Sequence, residues 1–234
     1  MVSIITAFWG NKYSVDDLKK LPIDFCFSDR EIPGIKTFPI DMSYKHTWKK
    51  MTLFDKRLNL GDCLFLDIDI IIQGDLNILI DYYEKNKVKG KVMLSHVHWF
   101  DNEKMKKNKS TYTSCNVNSG VFAFNNDECD HIYQAVKKDK EKLSMLFEGT
   151  DKWFYHVHKD WYTFWPDKYV QHAIHNFEKF DRKKAIILSE NVRAEGRNKI
   201  LGEVIGNLFE KRKEQKQKKN KIEQVYKLIM NSAY

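Results

Sequence analysis

The 234-residue chain is 42% apolar and 31% charged, an ordinary globular balance that suits one domain or one domain with an appendage. Its net charge of +8 is uneven: residues 207–234 hold eight Lys/Arg against three Glu, which leaves the rest nearly balanced and excludes a basic domain built to wrap nucleic acid. No apolar run is long enough for a bilayer, and four scattered cysteines (Cys26, Cys63, Cys115, Cys129) without a CxxC pair argue against zinc or a disulfide framework and for a reduced, cytosolic setting.

Val2–Phe8 is apolar and partly β-branched and runs into Trp9-Gly10-Asn11, the pattern of a first strand ending in a turn and not of a signal peptide. Ser14 with Asp17 three residues on predicts a helix N-cap, and Pro22 keeps that helix short. Ile23–Phe27 reads as a strand, Pro33-Gly34 as a turn and Ile35–Ile40 as extended. His46–Leu58 carries apolar residues at helical spacing, stopped by Asn59-Leu60-Gly61-Asp62. Cys63–Ile72 is an apolar run broken only by Asp67 and Asp69, and Gly74-Asp75 turns the chain into a helix through Tyr83. Strands at Lys91–Ser95 and Ser119–Phe124 bracket a lysine-rich loop, Lys104–Thr113. Helices over Asp127–Lys138 and Asp151–Asp160, an extended Tyr162–Trp165 and a last strand at Ala185–Leu188 follow. Alternation of strands and helices predicts an α/β fold, a mostly parallel sheet with helices on both faces. Beyond it, Leu201, Val204, Ile205 and Leu208, and later Ile222, Val225, Tyr226 and Ile229, keep helical spacing around a charged stretch. We therefore expect a domain over 1–198 and a basic amphipathic helical extension over 199–234.

The chemistry centres on Asp67-Ile68-Asp69. A carboxylate in an apolar strand costs several kcal/mol unless something compensates it. Two of them, one residue apart, lie on one face of a strand and repel. A divalent cation relieves both problems, and hard carboxylate oxygens suit Mg²⁺ or Mn²⁺. Aromatics, 14% of the chain, cluster near Trp99, Trp153, Trp161 and Trp165, where they either wall a sugar site or fill a core.

The segment Leu64-Phe65-Leu66-Asp67-Ile68-Asp69-Ile70-Ile71-Ile72-Gln73-Gly74-Asp75-Leu76 resembles the D-x-D region of GT-A glycosyltransferases of the glycogenin and galactosyltransferase (family 8-like) group. Four more segments, in the right order, are similar to that group. Ala7-Phe8-Trp9-Gly10-Asn11-Lys12-Tyr13 matches the first strand and nucleotide loop, and Cys26-Phe27-Ser28-Asp29 the segment that meets the base. Trp48-Lys49-Lys50-Met51-Thr52-Leu53-Phe54 matches the helix beside the diphosphate, and Asn118-Ser119-Gly120-Val121 the strand whose Asn contacts the donor sugar. Gly149-Thr150-Asp151-Lys152-Trp153 stands where such enzymes have a D-Q pair. The resemblance covers roughly residues 1–190.

It implies a GT-A, Rossmann-like fold and a metal-dependent, retaining transfer of a sugar from a UDP-type donor to a glycan or glycolipid acceptor. Asp67 and Asp69 would hold the metal. Phe8, Trp9, Gly10, Lys12, Tyr13, Asp29, Lys50 and Ile68 would line the donor site, with Tyr13 stacking on the base and Asp29 accepting from it. Asn118, Asp151 and Lys152 form the candidate catalytic set. Two departures stand out: Lys152 replaces the amide of the D-Q pair, and no His follows the last strand, where Ser189-Glu190-Asn191 offers only oxygens. His156 and His158 are secondary ligand candidates. The basic tail suits either an anionic membrane surface or packing against a partner. Two rivals remain, a catalytically inactive sugar- or protein-binding module and a sugar-phosphate nucleotidyltransferase, the latter disfavoured by the absence of a G-x-G-T-R loop after the first strand.

Overall fold

In the computed structural model, which describes residues 1–97, 115–147, 149–172 and 184–189, a seven-stranded sheet carries the molecule. Its strands are β1 (Ser3–Phe8), β2 (Phe25–Ser28), β3 (Thr37–Pro39), β4 (Asp62–Leu66), β6 (Val92–His96), β7 (Val117–Asn125) and β8 (Tyr162–Phe164), in the order β3-β2-β1-β4-β7-β6-β8. All pairings are parallel except those of β7, which runs against both β4 and β6. A second sheet joins β5 (Ile71–Ile72), β10 (Ile187–Ser189) and β9 (Val170–His172) in the order β5-β10-β9. All described residues belong to one compact unit, Met1–Glu190. The lysine-rich loop and the amphipathic extension expected from the sequence lie outside the described residues.

Alternation along each strand divides the core in two. Ile5 and Ala7 of β1, with Cys63 and Phe65 of β4, enter one cluster. Phe8, Leu64 and Leu66 enter the other, the period-2 arrangement that the pleat imposes. The first cluster is roofed by a 3₁₀ helix, His46–Phe54, by α3 (Asp130–Leu146) and by α4 (Thr150–Val157), through Trp48, Leu53, Ile132, Val136, Trp153 and Phe154. Short α1 (Val15–Leu18) and α2 (Asn77–Asn86) cover the other face through Leu18, Leu79 and Tyr83. The N-cap expected at Ser14 is present as a full capping box with Asp17. Trp153 and Trp165, at 1% and 2% exposure, serve the core; Trp99 lies outside the described residues.

Two expectations change. His46–Leu58 is a 3₁₀ helix followed by a second short turn, Lys56–Leu58, and every residue from Trp48 to Phe54 is buried, so it has no solvent face there. The apolar run Cys63–Ile72 is not one strand: β4 ends at Leu66, Ile68 and Asp69 form a turn, and the chain re-enters extended structure at Ile71 in the other sheet. The two aspartates therefore sit at a strand end and not on a strand face. The break follows from pairing: β1 holds β4 only as far as Phe65, and the Asp67 N–H closes the ladder on the Gly120 carbonyl at 2.8 Å.

At the opposite end of β4, Asp62 accepts from Tyr83 Oη (3.0 Å), Lys87 Nζ (2.7 Å) and Asn125 Nδ2 (3.1 Å). Burial pushes its carboxyl up, but these bonds outweigh burial and hold it below the usual range. A depressed folded value means stability that is present above the unfolded value and lost as pH falls through the folded one. Asp62→Asn should cost about 1–2 kcal/mol at pH 7 and flatten the loss of stability between pH 4 and 2, as read by urea unfolding across that range.

Candidate active site

The order β3-β2-β1-β4 places β1 and β4 side by side while the chain leaves β1 in opposite directions, a switch point whose crevice opens beyond the carboxyl ends of both strands. Trp9 and Gly10 follow β1, Asp29 follows β2 and Asp67 follows β4, all at this edge. Because β7 is reversed, its first residues, Asn118 to Gly120, reach the same edge from the other direction.

A pocket opens here, lined by Ala7, Trp9, Lys12, Tyr13, Thr47, Lys50, Asp67, Ile68 and Asp69. Lys50, 4% exposed, donates from Nζ to Asp67 Oδ2 (2.7 Å) and to the Ser119 carbonyl (3.0 Å), and its ammonium lies 5.0 Å above the Phe65 ring. A buried lysine is tolerable only when its charge and donors are met in this way. Asp69 accepts from the Tyr13 hydroxyl and has exposed Lys12 at 3.9 Å. Burial is the main force on Asp67, and with the charges of Asp69 and Asp151 it outweighs Lys50 and pushes the carboxyl up to about 6. The corner thus gathers three carboxylates around one buried ammonium, a negative balance that a cation would relieve. Among the described residues no third His, Cys, Asp or Glu completes a metal-holding group with Asp67 and Asp69. Glu190 and Asn191, the expected oxygen donors, lie outside the described residues. The pair still suits a hard divalent cation: burial holds the Asp67 carboxyl above its ordinary value, a cost that a cation would relieve, and Asp69 follows two residues on, in the turn that Ile68 begins.

The nucleotide-loop candidates divide. Gly10 has a positive φ of 62°, which explains the glycine. Its N–H donates to Asp29 Oδ2 (2.9 Å) and its carbonyl accepts from Arg30 Nη2 (2.6 Å), so Asp29 shapes the loop directly. Arg30 was not foreseen; it lies 4.9 Å over the Phe8 ring and its only sequence signal is its place beside Asp29. Phe8 itself is 1% exposed and belongs to the core, below the loop rather than in the pocket. Ile68 is 9% exposed and anchors the turn between the aspartates in the core. Thr47 lines the pocket without any sequence signal that marks it.

On the other side of Asp67, Asn118 is 8% exposed and its Oδ1 accepts from the Gly120 N–H (2.8 Å). Asp151, in the first turn of α4, accepts from the Ser119 N–H (3.1 Å), and Thr150 and Ser119 hydroxyls meet at 3.4 Å. The bonds run Asp67–Gly120, Gly120–Asn118 and Ser119–Asp151, which ties the carboxylate strand end to α4. Half-buried Lys152 follows Asp151 on that helix. His156 and His158 lie at the far end of α4, packed on aromatic rings, and are not brought to the aspartates.

A family model described as Glycosyl transferase family 8 matches residues 38–187, more than half of the chain. The chain belongs to glycosyl transferase family 8. The matched stretch includes Lys50, both aspartates, Asn118 and Asp151. Among solved structures, the family-8 chain shares its fold with an active-site mutant of LgtC (TM-score 0.54, 12% identity, covering 86% of this chain and 95% of that one). It also shares it with a glycosyltransferase involved in glycosylation of the major capsid of PBCV-1 (TM-score 0.52, 11% identity, covering 87% and 98%). GlyE of Streptococcus pneumoniae TIGR4, at TM-score 0.48 and 17% identity, is matched over 73% of this chain and 47% of its own, so the family-8 chain spans about half of GlyE's length. No curated protein matches significantly. The GT-A, Rossmann-like fold expected from the sequence is the one observed.

Proposed function

We propose that this family-8 protein is a metal-dependent glycosyltransferase that moves a sugar from a UDP-type nucleotide sugar to a glycan or glycolipid acceptor with retention of configuration. The observation that carries this reading is the convergence of Asp67 and Asp69 with a buried Lys50 at the β1/β4 switch point, directly bonded to the Asn118–Gly120 segment and through it to Asp151. Mn²⁺ or Mg²⁺ held by Asp67 and Asp69 would supply the positive charge that a leaving diphosphate needs. Lys50 keeps Asp67 ionised and oriented, Lys12 adds an exposed positive charge beside Asp69, and the Gly10 loop, set by Asp29 and Arg30, receives the nucleotide. The Asn118 amide and the Asp151 carboxylate orient sugar hydroxyls on the far side of the aspartate pair. Lys152 stands on that side as a cation. No helix of the described residues is long and apolar enough to cross a membrane; a cytoplasmic setting, with the basic tail touching an anionic membrane, is part of the same proposal.

The test is thermal unfolding with UDP, with and without Mn²⁺. At about 100-fold excess over Kd, a ligand specific for the native state adds about 2.7 kcal/mol, or roughly 5 °C or more in a domain of this size. The wild type should show a Mn²⁺-dependent shift of that order, and Asp69→Ala should lose the Mn²⁺-dependent part. Absence of any shift with UDP, GDP or CDP would sink the donor-site assignment and leave a non-catalytic binder.

A further inference from the structure

A run of packed rings leads away from the site. Trp48 stands two residues before Lys50 and Trp153 two residues after Asp151, and their rings meet at 5.7 Å, both essentially buried. Trp153 continues to Trp161 (5.8 Å, near-perpendicular) and to the edge of His158 (4.5 Å). His158 lies flat on Trp161, with centroids 3.5 Å apart and planes 13° from parallel. His131, from α3, meets Trp161 at 4.6 Å and 89°. Two imidazoles therefore hold one indole, and that indole closes the row of rings behind Lys50 and Asp151.

We propose that His131 and His158 form a proton-sensitive latch on Trp161, which holds α4 against the sheet near neutral pH and releases it in mild acid.

The physical case rests on what a charge would do there. An imidazolium on an indole face gains about 0.5–2 kcal/mol as a cation–π contact, so the cluster tolerates one charged ring. Two charged rings against the same indole repel and are both partly withdrawn from water. Burial lowers the proton affinity of each histidine, and for His158 the charge of His131 adds to it. Asp130 and the Glu128 backbone at the start of α3 work the other way on His131. Other titratable groups on the flanking segments are Lys159 and Asp160, both exposed, in the 3₁₀ turn Lys159–Trp161, His156 and Lys152 on α4, Tyr162 at the start of β8, Lys91 ahead of β6 and the Glu128 carboxylate, which accepts from the Gly90 N–H at 3.3 Å. His156 is shifted the same way, first by burial and then by Lys159 and Lys152. An open form, with the rings in water, binds more protons than the closed one, so the equilibrium moves towards opening as pH falls. Opening α4 withdraws Asp151 from the Ser119 N–H and Trp153 from Trp48.

Because the latch rests on ring geometry, it is tested without donor, metal or acceptor and stands apart from the transferase reading. Hydrogen exchange of the peptide covering Thr150–Val157, corrected for the intrinsic effect of pH, is compared at pH 7.5 and 5.5. Wild-type protection should fall at least tenfold, and that of the His131→Phe/His158→Phe double variant, which keeps the rings and removes the protons, less than twofold. Unchanged wild-type protection, or an equal loss in the double variant, overturns the latch. Should the double variant not fold, the ring-proton titration of the wild-type histidines decides. Midpoints of His131 and His158 below the ordinary histidine value, shared by the α4 amides, support it; midpoints at or above that value overturn it.

Discussion

Lys50→Met should lower the unfolding midpoint by about 10 °C and donor turnover by about three orders of magnitude or more. The side chain is 4% exposed and ends on Asp67 Oδ2 and the Ser119 carbonyl. Methionine fills much of the same volume, so loss of packing is small and loss of charge dominates. What remains is a carboxylate already strained by burial and by two like-charged neighbours, now without its counter-charge. Breaking such a pair from one side costs about 3–5 kcal/mol. Asp67 would escape part of that cost by taking a proton, and a protonated carboxyl is a poor ligand for a hard cation. Stability and function therefore fail for one reason. Calorimetry and hydrolysis of a nucleotide sugar without acceptor measure the two losses. A variant that keeps wild-type turnover would show that Asp67 needs no fixed cation beside it.

Gly120→Ala should separate the two effects. A Cβ at this position would lie 2.8 Å from Asn118 Oδ1 and 3.5 Å from Asp67 Oδ2. The backbone here is ordinary strand, so alanine carries no conformational penalty and would even restrict the unfolded chain. The clash falls on the Asn118 amide, which the Gly120 N–H holds in place. Asn118 must swing away, and the proposed sugar side of the site loses an oriented hydrogen-bonding group. We expect kcat/KM to fall by about 10²–10³ with a midpoint change of only a few degrees, and Mn²⁺-dependent UDP binding within about threefold of wild type. Equal losses in UDP binding and in turnover would place the damage at Asp67 instead.

How much of this was legible in the sequence differs element by element. Asp67 and Asp69 announced themselves because apolar residues surround them and nothing nearby in the chain neutralises them. That they occupy a turn was hidden, since Ile70–Ile72 prolong the hydrophobic run and only the pairing limits of β1 and β7 end the strand at Leu66. The helical spacing in His46–Phe54 was real, but spacing does not tell a 3₁₀ helix from an α-helix when both of its faces are covered. Lys50 was placed at the donor site by the resemblance alone; nothing in the spacing shows that it and Lys49 are both buried, Lys49 donating to the Tyr44 carbonyl and Lys50 to the site. Asn118 and Asp151 lie 33 residues apart in the chain and touch through Ser119, a contact fixed by the reversal of β7. The short strand Val170–His172 carried no signal, because three residues define no period.

Under the proposed function, the loop after β1 also bears on how quickly a nucleotide enters. Both backbone groups of Gly10 are already engaged, one by Asp29 and the other by Arg30. A loop fixed in this way does not have to search for its shape after encounter. Arrival of the nucleotide should then follow a single concentration-dependent phase in stopped-flow, without the slower, saturating phase that marks a gate closing behind its ligand.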